Sequence, residues 1–202
     1  MKIRLAIILF TLIISAGPIS AQTTHPFAGA ALPVGSSSSY WSPGWSAGIE
    51  IPISQRRGLD WSATISASRN EPNAERLLRT SGRNLTIEHQ QGWSMVFGLS
   101  LAASRTLIAA SNDGADFRAI GGVGIYYLHD SEVFVGGFYP DGATAINRQR
   151  RIEAQTLAAP GISIGCAGKI LNNIEPSLMF SRIFVGGSPR DLLSINVGLL
   201  PR

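Results

Sequence analysis

Few places in this sequence carry residue types that could do chemistry. His129-Asp130-Ser131, with Asp141 further on, sets a base, a hydroxyl and two acids within a short stretch. Acyl-transfer hydrolysis needs a base within hydrogen-bond reach of a serine and an acid that orients the base. On a strand His129 and Ser131 would share a face, because successive side chains alternate. The same residues are also ordinary polar residues of a loop top. Gly161-Ile-Ser-Ile-Gly165 fits Gly-x-Ser-x-Gly, but a nucleophile elbow requires a strand, a sharp turn and a helix. This motif lies inside a run that reads as strand, with Ser163 on its small-residue face. Gly121-Gly-Val-Gly124 lacks the third glycine and the helix of a nucleotide fingerprint. His25, His89 and His129 have no metal-ligand spacing, so no metal and no cofactor are expected. No catalytic residue is assigned and the chain is read as a non-enzyme.

The second kind of chemistry is electrostatic. Arg148, Arg150 and Arg151 form a basic cluster in a long polar stretch, and Arg76, Arg79 and Arg83 lie in another. Guanidinium forks suit phosphate oxygens. A solvated loop surface is the plainer reading of both.

The elements that would position these residues are strands. Trp45, Ala47, Ile49, Ile51 and Ile53 alternate with Ser46, Gly48, Glu50 and Pro52. Leu59, Trp61, Ala63, Ile65 and Ala67 alternate with Asp60, Ser62, Thr64, Ser66 and Ser68. Trp93 to Ala102 and Leu193 to Leu199 repeat the pattern, and a helix would not produce it. Weaker strands read over Phe27–Gly35, Phe117–Leu128, Thr156–Gly168 and Ile174–Phe184, giving eight in all. The connections differ in length. Arg69–Gln91 and His129–Gln155 are long; Ser54–Gly58 and Leu171–Asn173 are tight.

Composition narrows the class. Of 202 residues 45% are hydrophobic and 15% charged, against about 25% charged in an average soluble domain. Lys2 and Arg4 precede the apolar run Leu5 to Ile14, and Ile19-Ser20-Ala21 offers a small residue for cleavage. That is the layout of a secretory signal peptide, so residues 1–21 are expected to be a signal and 22–202 one barrel domain. Removing Lys2 and Arg4 halves the net charge of +4, which leaves no electrostatic case for nucleic acid. Cys166 stands alone and reads as a small apolar residue.

The alternation also indicates which face is inside. A soluble sheet would turn its large apolar face inward and its charged face to water. Here the second face is Gly, Ser, Thr and Ala with a few charges: Glu50, Asp60, Arg118 and Glu175. Small residues suit the cramped interior of an eight-stranded barrel, and those charges are expected to pair across it. The apolar face would then meet lipid. Trp45, Trp93, Tyr126, Tyr127 and Phe184 are expected in a belt at one end, and Phe27, Trp61 and Phe117 at the other.

The residues Phe27-Ala-Gly-Ala-Ala-Leu-Pro-Val-Gly35, Gly44-Trp-Ser-Ala-Gly-Ile-Glu-Ile-Pro-Ile53, Ile120-Gly-Gly-Val-Gly-Ile-Tyr126 and Leu193-Ser-Ile-Asn-Val-Gly-Leu199 carry a resemblance. Over the mature chain the sequence resembles the small bacterial outer-membrane β-barrel proteins, the outer-membrane protein A/X-like group. The resemblance implies an all-β fold, an eight-stranded antiparallel up-and-down transmembrane β-barrel in the outer membrane of a Gram-negative bacterium. It implies a structural or surface-interaction role through long extracellular loops. The implied partners are outer-membrane lipid and lipopolysaccharide, with Arg148, Arg150 and Arg151 on its phosphates, together with the barrel-assembly machinery and a surface ligand of unknown kind. Two alternatives remain. Barrel-type lipid A deacylases use a His-x-Ser pair, which points to His129 and Ser131. A soluble periplasmic ligand-binding barrel would instead hold an apolar internal pocket. The chain departs from the family in ending Leu199-Leu-Pro-Arg202 rather than on an aromatic residue.

Overall fold

The structure, a computed structural model, describes residues 24–78, 86–108, 116–141, 144–170, 173–187 and 189–200. The expected signal segment, Arg79, Arg83 and the final Pro201-Arg202 lie outside them, and the side chains of Asp141 and Arg148 are likewise outside the described ones.

Eight antiparallel strands close into a barrel. They are β1 (His25–Val34), β2 (Gly44–Arg56), β3 (Leu59–Asn70), β5 (Ser94–Ile108), β6 (Phe117–Asp130), β9 (Gln155–Gly168), β10 (Ile174–Ile183) and β11 (Arg190–Leu199). Each pairs with its neighbour in the chain's own up-and-down order, and β1 meets β11 from Phe27↔Gly198 to Val34↔Asp191 to complete the circle. All eight expected strands are present. One end of the barrel, the turn end, carries short connections. The first is a two-residue hairpin at Arg57-Gly58, where φ is 55° and 74°. Two successive positive φ values match the right-handed twist of the flanking strands.

The other end, the loop end, differs from the expectation of plain polar loops. Its two long connections contain a further sheet, with β4 (Thr86–Gln91), β7 (Val133–Asp141) and β8 (Thr144–Ile152) in the order β4-β7-β8. A single helical turn, Ala74–Leu77, precedes β4, and the Asn73 side chain caps it by accepting from the Arg76 N–H. Trp41, Ala74, Leu77, Leu78, Val133 and Val135 are buried together, with Ile152 packed against them. The loops therefore have a hydrophobic core of their own, and form a platform over the barrel.

Side-chain direction within the barrel follows the alternation. Ile65 is 54% exposed, Val123 59% and Ile164 65%, all on the outer surface. Ser46, Ser62, Ser68, Ser104 and Asn196 are buried inside. This is the reverse of a soluble barrel, whose apolar pocket is internal. Two aromatics depart from the expected belts. Phe27 and Tyr126 line the lumen. Each lies against a wall position with no side chain. A Cβ on Gly48 would come within 2.4 Å of the Phe27 ring, and one on Gly98 or Gly161 within 2.9 or 2.7 Å of the Tyr126 ring. The glycines make room for rings inside a narrow tube. Trp45, Tyr127 and Phe184 stay outward at the loop end and Phe117 outward at the turn end, each at least 39% exposed.

Candidate functional site: a layered lumen and an outer rim

The lumen is filled in layers. Nearest the turn end, Arg118 on β6 reaches across to carboxylates on two other walls. Its Nη1 and Nη2 donate to Glu50 Oε1 and Oε2 of β2 at 3.3 and 3.1 Å. Nη2 also donates to Glu175 Oε1 of β10 at 2.5 Å, and Nη1 to Ser104 Oγ at 3.3 Å. Three of the four expected lumen charges are thus brought together. Asp60 is not in this cluster; it lines the opening at the turn end, which Lys169 and Asp116 also line.

Bordering that cluster is a cavity of about 120 Å³ with nine serines among its lining residues. Next comes an apolar layer of Val96, Tyr126, Leu128, Ile183 and Leu192. The Tyr126 hydroxyl is held by Ser163 and Ser181. Ser163 is therefore a lumen residue in the middle of β9, bonded to a phenol, with no elbow around it.

A second ionic layer sits at the loop end. Arg190 donates from Nη1 and Nη2 to Asp130 Oδ1 and Oδ2 at 2.9 and 2.8 Å, and from Nη1 to Ser94 Oγ at 2.7 Å. Gln155 Nε2 donates to Asp130 Oδ2 at 2.8 Å. The Arg190 guanidinium carbon is 5.3 Å from the centroid of Trp41, a member of the platform core. This layer is absent from the sequence reading, which treats Asp130 as a loop-top acid. The available signal is parity: Asp130 and Tyr126 share the inward face of Arg118, and Arg190 shares that of Ser194 and Asn196.

The candidate hydrolytic group does not assemble. β6 ends at Asp130, so Ser131 has left the strand and no longer shares its alternation. The Ser131 hydroxyl accepts from the Trp93 N–H at 2.8 Å and donates to the Trp93 carbonyl at 3.1 Å. His129 points outward, its Nδ1 2.7 Å from Thr156 Oγ1. Asp130 points inward to Arg190. Three residues adjacent in sequence serve three separate partners.

The basic cluster lies on β8, an edge strand of the platform. Register sets Arg148 opposite Gly137, Arg150 opposite the core residue Val135 and Arg151 opposite Phe134. Arg150 and Arg151 thus occupy opposite faces, and Arg151 is ion-paired with Glu132. Arg76 belongs to another contact, donating from Nη1 to Ser38 Oγ at 2.7 Å.

On the outer surface Arg182 and Asp191, directly opposite across β10 and β11, form a two-pronged pair at 2.8 Å for each bond. Among the described residues no group of three or more His, Cys, Asp or Glu is placed to hold a metal ion.

Fold and site together define a barrel turned inside out, apolar without and ion-paired within. No family model matches the chain, and no curated protein sequence matches it. Solved structures that align with it include Neisserial surface protein A, at 12% identity and TM-score 0.45 over 87% of this chain and 96% of that one. Ail, the attachment invasion locus protein of Yersinia pestis, aligns at 9% identity and TM-score 0.45, over 88% of this chain and 97% of that one. The N-terminal β-barrel domain of Pseudomonas aeruginosa OprF aligns at 10% identity and TM-score 0.45, over 89% and 98%. The assignment of architecture rests on this chain's own strand register.

Proposed function

We propose that this protein is an outer-membrane barrel that anchors a folded platform at the cell surface, where the platform engages anionic partners. The observation that carries the reading is the inverted polarity of the barrel. Aliphatic side chains more than half exposed ring the outside, while charges are paired inside. In water that surface would promote aggregation. In a bilayer it is the required one, and closure of the sheet satisfies the backbone groups that lipid cannot. The layered lumen favours anchoring over conduction, because ions and rings block the axis. Residues 1–21 act as the export signal in this reading, and the barrel-assembly machinery inserts the chain from the periplasm. The platform then faces outward, and the strand that carries Arg148, Arg150 and Arg151 is available to lipopolysaccharide phosphates.

The experiment is a gel. The mature chain is refolded with and without detergent micelles, and its mobility is compared before and after boiling. A compact, faster band seen only with detergent is expected. Clean folding in plain buffer would overturn the membrane reading.

A further inference from the structure

Five outward-facing residues at the loop end lie in one direct cross-strand row: Trp45↔Arg69, Arg69↔Met95, Met95↔His129 and His129↔Thr156. Direct neighbours in such a row have Cβ atoms about 4.5–5.5 Å apart. Trp93 stands on the same outer face just beyond it. The Arg69 guanidinium carbon lies 5.7 Å from the Trp93 ring centroid, and the His129 ring centroid lies 5.0 Å from the same ring. Two nitrogen-rich groups therefore flank one indole.

These groups differ from another outward cation at this end. Arg182 is held by the two oxygens of Asp191. Among the described residues no carboxylate pairs with Arg69, whose contact is the indole face. His129 has committed Nδ1 to Thr156. In the tautomer in which the Thr156 hydroxyl donates to Nδ1, Nε2 carries the ring proton and is a donor to whatever lies outside. Below the row, toward the barrel's middle, Phe97, Tyr127 and Ile65 are 44%, 48% and 54% exposed.

We infer that Arg69, Trp93 and His129 form a lipid-headgroup site, in which the phosphate of a membrane lipid is held between Arg69 and His129 while its chains lie on Phe97, Tyr127 and Ile65. The inference rests on the membrane reading above. Charge complementarity selects the occupant: a guanidinium with no carboxylate partner among the described residues and an imidazole flank one indole where an apolar surface gives way to a polar one. A phosphate supplies the acceptor oxygens, and the indole fits the interfacial level. A lipid satisfies both halves of the surface, whereas a soluble anion would use only the upper half.

The test reads lipid selectivity around the intact chain. The protein is refolded into phosphatidylcholine nanodiscs carrying traces of spin-labelled phosphatidic acid or spin-labelled phosphatidylcholine, and the motionally restricted fraction of each is compared. Phosphatidic acid should be preferred about fivefold, the weight of about one cation near an anionic surface. The preference should fall to near one in Arg69→Gln with His129→Gln, persist in Arg182→Gln, and recover substantially in Arg69→Lys with His129 intact. Gel mobility confirms that each variant has folded, and Arg69→Lys covers the case in which the double variant does not fold. Equal restriction of the two lipids in the native chain would overturn the site, as would a double variant that keeps the preference. Full displacement by inorganic phosphate would also overturn it, because the site would then serve a soluble anion. A native chain that enters nanodiscs without lipid preference refutes this site alone; one that fails to enter refutes the membrane reading with it.

Discussion

The two ends of the lumen are both closed by arginine, but they are built differently. At the turn end Arg118 faces two carboxyl groups, Glu50 and Glu175, from two other walls, so one guanidinium is shared between two acids. At the loop end Arg190 meets one carboxylate, Asp130, and the remaining partners are the neutral Ser94 and Gln155 and the Trp41 ring. The first cluster ties barrel wall to barrel wall. The second also joins walls, β11 to β6 and β5, and adds a contact to the platform, because Trp41 belongs to the platform core. Charge inside this tube thus does two jobs: it braces the cylinder at both ends and, at one of them, also docks the loops.

Removing one member of a buried ionic group leaves its partner unpaired and is far worse than removing the group. Arg118→Met should therefore be the most damaging change. It strands two carboxylates facing each other, and a loss of about 3–5 kcal/mol is expected in urea unfolding followed by gel shift in micelles. The triple variant Glu50→Gln, Arg118→Met, Glu175→Gln should regain most of that loss. A single variant as stable as the native protein would mean that the brace does not exist.

Arg190→Met should cost less, about 2 kcal/mol, since Asp130 keeps its hydrogen bond from Gln155. The informative readout is where the damage falls. Limited proteolysis should cut faster within residues 71–93 and 131–154, while the heat-modifiable barrel band persists. If barrel and platform fail together, the two ends are one cooperative unit and the distinction drawn above is wrong.

The two regions were also unequally visible in the sequence. In the barrel one face must be small and the other large, so strand parity alone placed Glu50, Arg118 and Glu175 in one lumen. The same parity places Tyr126, Asp130 and Arg190 inside, provided the alternation of β6 and β11 is followed to the strand ends. Phe27 was harder, because both faces of β1 are small or apolar. The platform was not legible. Every residue of β4 is exposed, so Thr86–Gln91 carries no buried-face periodicity. The Asp141-Gly142 dipeptide is a hairpin signal for β7 and β8, but their burial depends on Trp41 and Leu77, brought in from other connections. Local pattern does not encode a core assembled from three loops. The same limit explains the failed hydrolytic reading: spacing set His129 and Ser131 close together, but the strand ended between them.

The smallest expected effect concerns the platform's cationic edge. Replacing Arg148, Arg150 and Arg151 together by serine should leave the barrel's unfolding unchanged, because β8 pairs only with β7 and lies outside the closed cylinder. Lipopolysaccharide binding should weaken by severalfold rather than vanish. Arg151 already has Glu132 as a partner, so part of its charge is satisfied before any phosphate arrives. Arg150 and Arg151 also sit on opposite faces, so one phosphate group cannot bridge both from a single side. A large polyanion therefore meets β8 along its unpaired edge and on the open face that carries Arg151, because the face of Arg150 is shared with the buried Val135. Binding measured against salt discriminates the cases. A native chain whose affinity falls with salt, and a triple variant whose affinity falls less steeply, would place these arginines at the contact. Unchanged binding with an unchanged salt dependence would leave the barrel's outer rim, at Arg69 and His129, as the anion-binding surface of the molecule.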